Sequence, residues 1–181
     1  MFRGGITFLC LVGKDYALYF GRFSEEKGIN TLLAACRDLP EIDFVFAGSG
    51  PLEERINGLP NVRNIGFQRG EDLERLIRRA RFTIYPSEWY EPFGLSIAES
   101  EACGTPVLGA DIGGIPELIE VGKTGELFES GNANSLKREI RKLWKRVDLI
   151  EKYQENCKGI DFDAVEEYCK KLVGLYSLEN W

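Results

Sequence analysis

Two carboxylates, Glu91 and Glu99, bracket the stretch Glu91-Pro92-Phe93-Gly94-Leu95-Ser96-Ile97-Ala98-Glu99. Pro92 and Gly94 make a turn, and the spacing predicts a helix starting near Leu95. Glu91 then precedes the helix and Glu99 lies about one turn into it. The first N–H groups of a helix have no intrahelical partner, so a start near Phe93, Gly94 and Leu95 can hold an anion. The two carboxylates can address different parts of one extended ligand. A carboxylate accepts hydrogen bonds from both hydroxyls of a diol, which suits a sugar or a ribose. Two solvated helix charges are an equally good account of the same residues.

A second group is Gly21-Arg22-Phe23 with Lys27-Gly28. A strand ends at Gly21 and a helix opens after Lys27, so both cations can converge on a phosphate. A cation at a helix N-terminus opposes the helix dipole, a conflict that a bound phosphate removes. Plain surface charge is the alternative. Gly48-Ser49-Gly50-Pro51 is a tight turn that lets backbone approach a ligand, or a turn with no ligand; it has neither common phosphate-loop pattern. Gly113-Gly114 with Glu117 has the same standing. Trp89 and Tyr90, just before Glu91, either shape a sugar pocket or pack on neighbouring loops.

The elements that must position these groups alternate. Short apolar strands are expected at residues 16–20, 44–47, 62–65, 82–85, 106–108 and 127–128. Helices are expected at 29–39, 52–56, 72–79, 95–103 and 115–119, with residues 109–116 as a turn region. Continuous apolar strands between helices imply a three-layer α/β/α, Rossmann-like domain with a parallel sheet of about six strands. Ligands of such sheets bind beyond the carboxyl ends of the strands, where the glycine clusters sit. From residue 135 the chain reads as a helical tail. Leu136, Ile140, Leu143, Val147 and Ile150 predict one long amphipathic helix, and residues 162–176 a last one. The 181 residues form a single domain.

Composition excludes several classes. With 23 basic and 29 acidic residues the net charge is −6, so nucleic acid is not the expected partner. The chain has no histidine, which rules out histidine–zinc sites and Ser-His-Asp or Cys-His catalysis. No motif supports a metal site. Five cysteines without a CxxC pair read as thiols in a reducing compartment. The apolar run 6–12 is too short to span a bilayer and reads as an edge strand, so the protein is expected to be cytoplasmic. Arg75, Arg78, Arg79 and Arg81 read as a surface cluster paired with Glu71 and Glu74; peripheral contact with an anionic membrane or a partner domain is the other reading.

In order along the chain stand GRFSEEKG at 21–28, FAGSGPLEE at 46–54, NVRNIGF at 61–67, YPSEWYEPFGLSIAESEACGTPVLG at 85–109, GGIPELI at 113–119 and GKTGELF at 122–128. Together they resemble the C-terminal, donor-binding domain of the retaining GT-B glycosyltransferases of family 4, the glycosyl transferases group 1. The resemblance implies a glycosyltransferase that binds a UDP-, GDP- or ADP-sugar and transfers a hexosyl group with retention, with no metal or other cofactor. It implies that Glu91 lies near the transferred sugar and Glu99 holds the ribose. Arg22 and Lys27 neutralise the diphosphate, Phe93, Gly94 and Leu95 contact sugar or phosphates, and Gly21 and Gly50 lie by the nucleotide.

Family members carry a second, acceptor-binding domain before this one, and residues 1–14 match nothing in it. The resemblance therefore implies an acceptor half absent from this chain, whether a separate subunit, a lost or truncated portion or an excised part, with a partner chain or self-association as the expected contact. The domain alone is expected to bind donor weakly and turn over poorly. A sugar-nucleotide epimerase of similar build and a non-catalytic nucleotide-binding module are the competing readings.

Overall fold

The computed structural model describes residues 15–92 and 94–158. The expected strand at 6–12, the last helix at 162–176 and Phe93 lie outside the described residues. The elements follow one another as β1 (Ala17–Arg22), α1 (Ile29–Arg37), β2 (Phe44–Ser49), α2 (Glu53–Ile56), β3 (Val62–Asn64), α3 (Gly70–Arg79) and β4 (Phe82–Tyr85). Then come α4 (Leu95–Ala102), β5 (Val107–Asp111), α5 (Ile115–Leu118), β6 (Gly125–Glu129), α6 (Ala133–Lys145) and α7 (Val147–Lys158). The strands form one parallel sheet in the order β3-β2-β1-β4-β5-β6.

Successive strand residues point to opposite faces, and both faces are covered. Ala17 and Tyr19 of β1 and Phe44 and Phe46 of β2 pack with Ile29, Leu32 and Cys36 of α1. Leu18, Phe20, Val45 and Ala47 pack on the other side with Leu76 and Ile77 of α3. This is why the strands read as unbroken apolar runs, and it makes the three-layer α/β/α arrangement with helices at its C-terminal end. Each large apolar side chain so buried contributes about 1.5–3 kcal/mol.

Two local expectations are corrected. The turn region expected from Gly109 is still strand, because β5 runs on to Asp111. Glycine there serves close packing: a Cβ on Gly109 would stand 2.4 Å from Ile119 Cδ1 and 2.9 Å from Ile115 Cγ2. Gly109→Val is expected to lower stability by about 3 kcal/mol through overpacking, measured by urea unfolding. The long tail helix is two helices, broken at Arg146 with φ −103° and ψ 79°. The Arg146 guanidinium binds the Asp148 carboxylate at 2.8 and 2.6 Å. Val147 keeps the apolar period yet is exposed, and Ile150, Tyr153 and Cys157 start a new buried stripe.

Arg75 and Arg78 of the arginine cluster are paired at the surface. Arg75 meets Asp72 at 2.6 Å and Arg78 meets Glu74 at 2.8 Å, so Asp72 takes the place expected of Glu71. Arg81 lies over the Trp144 ring, 4.7 Å from its centre. Among the described residues no helix is long and apolar enough to cross a membrane.

Helix α7 packs against α4. On α4, Glu101 is only 3% exposed, and its Oε1 has no hydrogen-bond partner. Burial pushes its carboxyl from 4.5 up to about 7, with the Thr124 hydroxyl opposing and the Glu120 charge adding to the rise. A raised carboxyl favours the proton in the folded state. Stability from this group is therefore full below about pH 4.5 and is lost as pH rises through about 7. Glu101→Gln should gain about 1–3 kcal/mol near pH 8 and flatten that decline, as read from unfolding curves across pH.

Candidate functional site

Strand order reverses between β1 and β4: α1 leads from β1 to β2 on one side, while β4 lies on the other. The diverging connections open a crevice at the carboxyl ends of these two strands, where ligands of such sheets bind. There the chain forms a small open cleft, lined by Gly21, Arg22, Lys27, Tyr85, Ser87 and Ser96 among others.

Each wall has a local cause. The turn after β1 is held because Phe23 is buried, its N–H donating to the Ser49 carbonyl at 2.9 Å and its carbonyl accepting from Leu52 N–H at 3.0 Å. The turn ends at Gly28, with φ +68°, where a Cβ would lie 1.7 Å from the Pro86 carbonyl oxygen. Only glycine tolerates that approach, so Gly28 seats the Lys27 turn on the loop after β4. Two further bonds knit the loops: Glu88 N–H to the Glu26 carbonyl at 2.9 Å, and the Thr31 hydroxyl to the Glu88 carboxylate at 2.6 Å.

The seated loops bring Lys27 Nζ onto the Glu91 carboxylate as an ion pair. The dipole conflict expected for Lys27 is thus met by Glu91. Ser87 Oγ lies 3.3 Å from the same Glu91 oxygen. The Glu91 backbone is fixed as well, its carbonyl accepting the Gly114 N–H at 3.0 Å. Gly113-Gly114 therefore forms the seat of Glu91.

The other expected residues fall in separate places. Gly94 is buried and caps α4, Leu95 is exposed on its first turn, and Ser96 reaches the cleft. Glu99 does not join Glu91. It lines a neighbouring groove between α3 and α4 with Gly70, Leu73, Arg78 and Cys103, and partial burial raises its carboxyl pKa. Gly50 stands behind the Arg22 turn, against the Phe23 backbone, outside the cleft lining. Trp89 and Tyr90 are exposed beside Glu91, 64% and 76%, rather than packed on loops. Ser87 was not among the expected residues; a serine in a Pro-Ser pair carries no signal of its own.

Two cations, one of them paired with a carboxylate, and the first turn of a helix thus border one cleft beside exposed aromatic rings. Such an arrangement can hold a polyanion at one end and a hydroxylated group at the other. Among the described residues, no group of three or more Cys, Asp or Glu side chains is placed to hold a metal ion.

Residues 11–159 match the family model described as Glycosyl transferases group 1. The chain is 30% identical over 161 residues to a protein of Methanocaldococcus jannaschii named as glycosyltransferase MJ1178, covering 86% of this chain and 45% of that one. It is 34% identical over 137 residues to sulfoquinovosyl transferase SQD2 of Arabidopsis thaliana, covering 72% and 26% respectively. The structure matches that of HepE from Anabaena in complex with UDP-glucose with a TM-score of 0.79 and 26% identity, over 91% of this chain and 49% of that one. The chain therefore spans about half or less of the length of these relatives.

Proposed function

Because this chain belongs to the glycosyl transferases group 1 family, we propose that it is the donor-binding domain of a retaining hexosyltransferase and holds a nucleoside diphosphate sugar in the β1–β4 cleft. The observation that carries this reading is Arg22 and Lys27 on one wall of a switch-point cleft, with Glu91 beside them. UDP-glucose, the ligand of the structural neighbour, belongs to the proposed donor class.

Breaking the anomeric C–O bond puts negative charge on the departing diphosphate. Arg22, Lys27 and the N–H groups at the start of α4 stabilise that charge in place. The acceptor hydroxyl attacks from the face the diphosphate leaves, and the leaving phosphate takes its proton. Glu91 positions the sugar and offsets the positive charge developing on it. It forms no covalent bond. Glu99, in the adjoining groove, holds the ribose hydroxyls. The reaction needs no metal on this account, since side-chain cations supply the charge.

A second reading is favoured by the chain spanning half or less of its relatives. The acceptor is then held by a half outside the described residues or on a partner chain, and the segment alone binds donor but turns over slowly, since the reacting groups are not both held. Thermal unfolding with UDP, GDP and ADP and their glucose conjugates tests the donor reading. At least one should raise the melting temperature with rising ligand concentration. Stabilisation by none of them would refute it.

A further inference from the structure

The Lys27–Glu91 pair joins the two groups to which the donor reading gives different duties, one to phosphate and one to sugar. Here they satisfy each other. Lys27 keeps 31% side-chain exposure and Glu91 13%, so the pair is reachable from the cleft but partly shielded from water. The Glu91 backbone cannot follow its side chain far, because its carbonyl is held by Gly114.

Ser87 supplies the remaining anchor. It is 1% exposed, at the end of β4. Its carbonyl accepts the Ser130 hydroxyl at 3.0 Å, and its Oγ accepts the Trp89 N–H at 3.3 Å. The Ser87 hydroxyl has three acceptors within reach: the Glu26 carbonyl at 3.4 Å, the Trp89 carbonyl at 3.3 Å and Glu91 Oε1 at 3.3 Å. It has one proton to give. While Lys27 neutralises Glu91, the three compete on similar terms. Once Lys27 leaves, the bare carboxylate is the strongest of the three.

We propose, resting on the donor reading above, that Glu91 is the counter-ion of Lys27 until the donor's diphosphate displaces it, and that Ser87 is the positioning residue that keeps Glu91 aimed at the sugar after the exchange. The pair holds the phosphate subsite closed to weak anions. It ties release of the sugar-directed carboxylate to arrival of a diphosphate.

A titration cycle tests this, with UDP and UDP-glucose first and the GDP and ADP pairs after, each variant being checked for folding by circular dichroism. Glu91→Gln leaves Lys27 without a rival anion, so UDP should bind about three- to tenfold tighter than to the parent chain. In a Lys27→Met background the same change should give a clearly smaller gain, the part owed to repulsion alone. Ser87→Ala should lower the preference for UDP-glucose over UDP by a similar factor, and Ser87→Thr should restore it. A gain from Glu91→Gln that is as large without Lys27 as with it marks simple charge repulsion and overturns the exchange. Equal losses for UDP and UDP-glucose in Ser87→Ala mark a structural serine and overturn its positioning role. If the parent chain binds none of the nucleotides, the donor reading itself fails, a result distinct from either of these.

Discussion

Replacing Arg22 and Lys27 together by alanine is expected to weaken nucleoside diphosphate binding by about a hundred- to a thousandfold. A hydrogen bond to a charged group contributes about 1.5–3 kcal/mol, and both cations address the same diphosphate. The loss of Lys27 also leaves Glu91 without its partner beside the phosphate subsite, which adds repulsion. Single substitutions should each cost a few kcal/mol at most. The fold should lose little: Arg22 is exposed, and neither cation belongs to a buried cluster. Arg22→Ala should stay within about 0.5 kcal/mol, and Lys27→Ala, which strips the partly shielded Glu91 of its partner, should cost about 1 kcal/mol. Calorimetric titration alongside urea unfolding separates the two effects. A double variant that binds as tightly as its parent would place the phosphate elsewhere.

Gly28→Ala should have the largest structural effect of any single methyl group at the site. The residue sits at φ +68°, and the new Cβ would overlap the Pro86 carbonyl oxygen at 1.7 Å. Left-handed backbone costs a residue with a Cβ about 1–2 kcal/mol, and overpacking against rigid backbone adds about 1–3 more. The loops that carry Lys27 and Glu91 must then part, and the Glu88-to-Glu26 backbone bond goes with them. Stability should fall by about 3–5 kcal/mol, with nucleotide affinity falling alongside it. A Gly28→Ala chain that unfolds at the parent's urea midpoint would mean that the two loops are not seated as described.

The layered fold was legible because both sheet faces are covered. Strands such as Phe44 to Ala47 then carry apolar residues without alternation, and the glycine-marked turns between them locate the crossovers. Two readings failed for physical reasons that a sequence does not separate. Glycine at 109 marks close packing as readily as a turn, and Ile115 and Ile119 decide between them. Val147 keeps the helical period of the tail while facing solvent, so periodicity alone ran through the break at Arg146.

The site was legible residue by residue but not in its pairing. Lys27 and Glu91 stand 64 positions apart. They meet only because β4 lies beside β1 and Gly28 lets their loops touch. Glu91 and Glu99 looked like a pair on one helix start, yet the fold turns them to a cleft and to a separate groove.

One titration addresses the central claim most directly. The parent chain and the Arg22→Ala, Lys27→Ala double variant are each titrated with UDP, GDP and ADP in a calorimeter. The account predicts saturable, one-site heat with at least one nucleotide for the parent and its loss in the double variant. No heat with any of the three, or equal heat in both proteins, would contradict it.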